Sequence, residues 1–303
     1  MKIFFHIILF LLTFFTTTIA GVQWIGKNGF DLENFYFGLP YSISILGILT
    51  FHEFGHYFAA KFHGIKTTFP FFIPIPSTFN PFGTMGAVIK IKEPIQSKKI
   101  LFDIGIAGPI AGIIATFLVF FIGVFTIPNE SYLYEIHPEF SQLKKLPEYG
   151  LTFGNSILFS LLSKGVSIFI FFPPMNEVYH YHLLNATWFG LFITAMNLIP
   201  VGQLDGGHIL YALIGKTQEK IAYVFLFTLI VISLSGFFLF ENIDFIGFGW
   251  LIWVAILFFI IKPKHPEIDS YTEIDIKRKI LGWSVMIFFT LTFVPYPFYE
   301  ISK

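Results

Sequence analysis

Seven apolar runs constrain this chain more than any other feature, near residues 3–20, 39–62, 101–127, 183–210, 219–240, 245–261 and 280–298. A helix needs about 20 mostly apolar residues to cross a bilayer, and these runs approach or exceed that length. In hydrocarbon only helices and closed barrels satisfy their own backbone polar groups, so a set of such runs predicts a helical bundle. Charge content points the same way. Only 13% of residues are charged, against about 25% in an ordinary soluble domain. The expected fold is all-α and polytopic, a single membrane-embedded domain over 1–303 with about seven transmembrane helices.

The first run has some features of a signal peptide: Lys2, an apolar stretch, and Thr18-Ile19-Ala20 ahead of Gly21. Its length favours a retained helix. Basic residues favour cytoplasmic loops. With the N-terminus inside and seven spans, fourteen of the nineteen Lys and Arg fall on the inner side. Lys27, Lys144, Lys145, Lys164 and Lys303 fall outside. Net charge is zero, so no global field attracts nucleic acid, and none is expected as a partner. There is no cysteine, which excludes disulfides, thiol catalysis and thiolate metal sites.

Two connections exceed simple turns. Residues 63–100 are rich in Pro and Gly and contain an alternating stretch from Ala87 to Lys92, which predicts a β-strand. A small β-hairpin on the cytoplasmic side is expected there, between the second and third spans. Residues 128–182 form an extracytoplasmic region. Its apolar stretch at 151–172 reads either as an interfacial helix or as a partial span.

The second run contains His52-Glu53-Phe54-Gly55-His56. Residues four apart share one helical face, so His52 and His56 can ligate one metal. Glu53 can then act as general base on a bound water. Three ionisable groups at membrane depth are costly, each about 2.5–3.5 kcal/mol on insertion scales, which argues against passive lining. A third ligand is needed, and Asp205 is the best candidate. It sits in a span broken by Pro200, Gly202, Gly206 and Gly207, and broken membrane helices are tolerated where they line a cavity. Both segments run inward, so all three groups reach similar depth although 149 residues separate His56 from Asp205.

These residues resemble the site-2 protease family of intramembrane zinc metalloproteases. That family pairs an H-E-x-x-H helix with an N-x-x-P-x-x-x-L-D-G segment, matched here by Asn197, Pro200, Leu204, Asp205 and Gly206. Further blocks are Gly83-Thr84-Met85-Gly86-Ala87, the stretch from Phe102 to Pro109, and Lys264-His265-Pro266. They are similar to a compact branch, found in bacteria and plastids, without an inserted PDZ domain. The resemblance implies one zinc ion per chain on His52, His56 and Asp205, with Glu53 activating water. It implies that Asn197 binds the substrate backbone, and that Gly83, Gly86 and Ala87 belong to a strand that pairs with the unwound substrate. Implied partners are single-span or signal-peptide-like membrane proteins within the lipid bilayer. The implied setting is a bacterial cytoplasmic membrane with the site toward the cytoplasm. The sequence leaves the oligomeric state open.

Other polar residues carry smaller expectations. Asp103 reads as a helix N-cap or dipole partner. His208 reads as support for the metal site or as a local hydrogen-bonding group. Gly108 and Gly112 suggest close packing. His63, His137, His180, His182 and His265 have no partner pattern and read as surface or interfacial. A transporter using the same buried charges, or a catalytically silent relative that binds membrane partners, stand as alternatives.

Overall fold

The computed structural model describes residues 2–142, 146–239, 246–268 and 273–301. Lys144, Lys145 and Lys303, assigned above to outer segments, lie outside the described residues. The chain is mostly helical. In order come α1 (Lys2–Trp24), α2 (Phe35–Phe62), β1 (Phe71–Pro74), β2 (Thr84–Val88), α3 (Lys98–Phe125), α4 (Ser131–Ile136), β3 (Gly150–Phe153), α5 (Ile157–Ser167), α6 (His182–Asn197), α7 (Asp205–Ile214), α8 (Thr217–Leu239), α9 (Ile246–Ala255), α10 (Ile276–Thr292) and β4 (Phe298–Ile301).

Four helices among the described residues are long and apolar enough to cross a membrane, over Ile3–Trp24, Leu32–Phe62, Lys98–Phe125 and Thr217–Gly236. The other three runs take different forms. The run at 183–210 is broken into α6 and α7, the one at 245–261 passes from α9 into a π-helical turn over Ile256–Ile261, and the last gives the 17-residue α10. The undecided stretch at 151–172 yields the end of β3 and the 11-residue α5, which is too short to span.

The hairpin of β1 and β2 lies along α1. His6 Nδ1 donates to the Pro70 carbonyl at 2.9 Å, Phe10 meets Phe72 edge-on at 5.0 Å, and Thr16 Oγ1 donates to the Gly83 carbonyl at 2.6 Å. Trp24 Nε1 donates to the Pro81 carbonyl near the hairpin tip. From His6 to Trp24 a helix rises about 27 Å. The hairpin therefore accompanies α1 over most of its length. Non-helical backbone at membrane depth requires such cover by protein.

Asp103 is not an N-cap. Ser97 caps α3, its side chain accepting from the Lys99 N–H at 3.2 Å. Asp103 sits in the second turn and takes two bonds from Arg278, the chain's single arginine: Nε to Oδ1 at 2.6 Å and a second guanidinium nitrogen to Oδ2 at 2.8 Å. His63, just past α2, reaches the same carboxylate at 3.0 Å. This group joins α2, α3 and α10. Replacing Arg278 by Ala is expected to cost about 1.5–3 kcal/mol, the worth of hydrogen bonds to charged groups. Thermal unfolding in detergent reads the loss. Arg278→Lys should recover only part, because an ammonium cannot form the paired fork. An unchanged midpoint for Arg278→Ala would show that the pair contributes nothing.

Candidate metal centre

The two histidines lie on one face of α2, and α3 supplies the surface against which they rest. His56 is 7% exposed and His52 4%. His56 Nδ1 lies 2.7 Å from the Ile104 carbonyl. A carbonyl only accepts, so Nδ1 carries a proton, and Nε2 is the ring nitrogen turned toward the cavity. The close approach depends on Gly108: a Cβ there would lie 2.1 Å from His56 Nε2. Gly55 needs similar space, since a Cβ on it would stand 2.5 Å from the Ala107 carbonyl oxygen.

Asp205 arrives on α7 through the broken segment. The chain leaves α6 at Asn197, turns through Pro200 and Gly202, and restarts at Asp205. The turn is fastened from outside: Gly202 N–H donates to the Pro263 carbonyl at 3.2 Å, and Gln218 Nε2 donates to the Pro200 carbonyl at 3.0 Å. The first turn of α7 folds back so tightly that a Cβ on Gly206 would lie 1.9 Å from the Leu198 carbonyl oxygen.

These elements bring three ligand atoms together. His52 Nε2 and His56 Nε2 are 3.1 Å apart, and Asp205 Oδ2 is 3.2 Å from each. Tetrahedral coordination with bonds of about 2.0–2.1 Å separates ligand atoms by about 3.3–3.4 Å, so the triangle fits such an ion.

Glu53 is 5% exposed and lines the same cavity of about 210 Å³ as His52, His56, Asn197 and Asp205. The backbone N–H of Ile89 interacts with its carboxylate. Asn197 Nδ2 lies 3.3 Å from His52 Nε2. Ala87, Val88, Ile89 and Ile91 form one wall. Among the described residues β2 pairs only with β1 in a two-stranded sheet, so its other edge has no described strand partner. Of the strand residues singled out above, Ala87 reaches the cavity. Gly83 instead packs on Thr16 and Thr17 of α1, and Gly86 bonds locally to the Thr84 hydroxyl.

His265, expected at the surface, is 4% exposed, and His180 is equally buried. His265 Nδ1 donates to the Pro266 carbonyl at 2.6 Å, so its Nε2 accepts from His208 Nδ1 at 2.7 Å. Tyr211 stacks on His265 with ring centres 4.2 Å apart. The pair fixes α7, and so Asp205, against the segment after the π-helical turn. Nothing in the sequence signalled this contact beyond the Lys264-His265-Pro266 block, because two histidines 57 residues apart share no local pattern.

A sequence model of peptidase family M50 matches residues 40–239, which contain all three ligand candidates and Glu53. The chain is 29% identical over 295 residues to the probable chloroplastic zinc metalloprotease EGY2 of Arabidopsis thaliana, covering 95% of this chain and 47% of that protein. It is 30% identical over 259 residues to the probable chloroplastic zinc metalloprotease EGY1 of the same plant, covering 85% and 43%. The rice (Oryza sativa subsp. japonica) protein described as EGY1 is 36% identical over 178 residues, 59% of this chain and 28% of its own. The chain thus spans about half the length, or less, of these curated relatives. Their chloroplastic descriptions lend no support to the bacterial cytoplasmic membrane expected above. No solved structure matches the chain.

Proposed function

This chain belongs to peptidase family M50, and on that premise we propose that it is a zinc metalloendopeptidase cutting peptide bonds within or beside membrane-spanning segments of other proteins. The observation that carries the reading is the near-equilateral arrangement of His52, His56 and Asp205, with edges of 3.1–3.2 Å, on helices of an apolar bundle. Two imidazoles and one carboxylate form a donor set suited to zinc, and three protein ligands leave a position for water. Zinc held there would bring the pKa of a bound water to about 7.

The chain's own residues supply the rest. Glu53 takes a proton on its carboxylate as water attacks and returns it to the departing amine nitrogen. His56 is held in its ligating tautomer by the Ile104 carbonyl. A membrane helix hides its peptide carbonyls, so the substrate must be extended before attack. The free edge of β2 offers backbone partners that replace the lost helical bonds. Asn197, beside His52, is positioned to hold the extended backbone. The candidate substrates are single-span or signal-peptide-like proteins, presented from the lipid on the side where basic residues concentrate.

Asp205→Ala is expected to lose one equivalent of zinc relative to wild type and all cleavage of a panel of single-span substrates. Retention of both metal and activity would remove Asp205 from the site. Ion flux through vesicles holding the wild-type protein, without cleavage of any substrate, would favour the transporter alternative.

A further inference from the structure

The connection between α3 and α6 gathers three side chains for which proteolysis has no use. His137 follows α4, and Glu177 and His180 bracket the 3₁₀ turn that leads into α6. His137 Nε2 and His180 Nε2 are 3.2 Å apart, and Glu177 Oε2 stands 3.6 Å from each. Glu177 is 3% exposed. Its Oε1 accepts from Asn176 Nδ2 at 3.0 Å, and Asn176 also donates to the Pro147 carbonyl, so the carboxylate is held in place. Its Oε2 is buried without a hydrogen-bond partner.

A buried carboxylate oxygen left unpaired is destabilising unless a partner is supplied. Ordinary pairing does not relieve this, because at 3.6 Å neither imidazole nitrogen is within hydrogen-bond distance of Oε2. The two imidazole nitrogens face each other at 3.2 Å, where only one can be donor. All three atoms converge on a common centre instead of pairing off. Their edges of 3.2–3.6 Å bracket the spacing of about 3.3–3.4 Å around a tetrahedral ion with bonds of about 2.0–2.1 Å.

We propose that His137, Glu177 and His180 form a second divalent-metal site, of the class that takes Zn2+, independent of the His52–His56–Asp205 centre. Two imidazoles and a carboxylate select zinc and its neighbours over magnesium or calcium, which prefer oxygen alone. The 16 residues of α6 lie between the two sites, a rise of about 24 Å, so the ions act separately. An ion here ties residues 43 apart in sequence and clasps the α3–α6 connection. His180 also borders a cavity of about 220 Å³, with Pro40, Thr126, Tyr132 and His182.

The test uses the full chain in detergent, loaded with Zn2+ and freed of excess. Wild type should hold two equivalents. A His56→Ala/Asp205→Ala chain, left with one ligand at the first centre, should hold one, and adding Glu177→Gln should reduce it to none. One equivalent in wild type and none in the double variant would overturn the proposal. Should the Glu177→Gln chain fail to remain monodisperse, zinc K-edge absorption of the double variant decides. Two imidazole nitrogens at about 2.0–2.1 Å support the site, whereas an all-oxygen shell marks adventitious zinc and overturns it.

Discussion

Glu53→Gln will keep zinc and the helical fold while peptide cleavage falls by about 10²–10⁴-fold, the usual worth of a general base. The substitution preserves volume and most hydrogen-bonding capacity, and it removes only the ability to take and return a proton. Glu53 follows His52 directly on α2, so it projects about 100° further round the helix yet still faces the shared cavity. It is therefore placed to serve the reacting water without being one of the three converging ligand atoms. Zinc content by metal analysis and initial rates on a cleavable single-span substrate should be measured on the same preparation. A wild-type rate would refute the role given to Glu53. Loss of zinc together with activity would make Glu53 part of the coordination sphere instead.

A graded glycine series should produce the second large effect. Gly108→Ala would set a methyl group 2.1 Å from His56 Nε2, a ligand atom, with no flexible end to give way. Either His56 leaves its position or α3 moves off α2. In both cases zinc affinity should fall at least tenfold, comparable to losing a group that orients a ligand. Gly112→Ala, whose Cβ would stand 3.0 Å from His52 Nδ1, asks for a shift of a few tenths of an ångström and should cost less. Gly47→Ala meets nothing within 4 Å and should leave zinc binding unchanged. The order of the three affinities tests whether the α2–α3 contact sets the centre. Equal affinities would show that the histidines find their geometry without it.

The features legible in the sequence were those with a local period or a local cost. Apolar runs located the helices, because bilayer thickness fixes their length. His52 and His56 were legible because a helix puts residues four apart on one face. Asp205 was legible because an acidic group in a broken apolar segment needs a reason to be there. What the sequence does not show depends on tertiary contact alone. The partner of His56 Nδ1 is the Ile104 carbonyl, and a carbonyl has no signature in a sequence. Asp103 looked like a cap because it lies near a helix start, yet Arg278 lies 175 residues away. His265 and His180 looked peripheral because their partners are equally remote or sit in loops without periodicity. The hairpin's course along α1 is likewise set by docking, which the alternation at 87–92 does not encode.

The free edge of β2 has a consequence for the supply of reactant. Each polypeptide group along an unpaired strand edge demands a hydrogen-bonding partner, and lipid tails provide none. On the proposed function, the groove beside Ala87 and Val88 would therefore draw water from the aqueous phase between turnovers. Hydrolysis consumes one water per bond cut, and an apolar bundle would otherwise exclude it. On the proposed function, the edge that would receive the substrate strand would also keep the reaction's second substrate at hand, and each arriving peptide would displace water toward Glu53. Catalysis would then be a trade of solvent for strand.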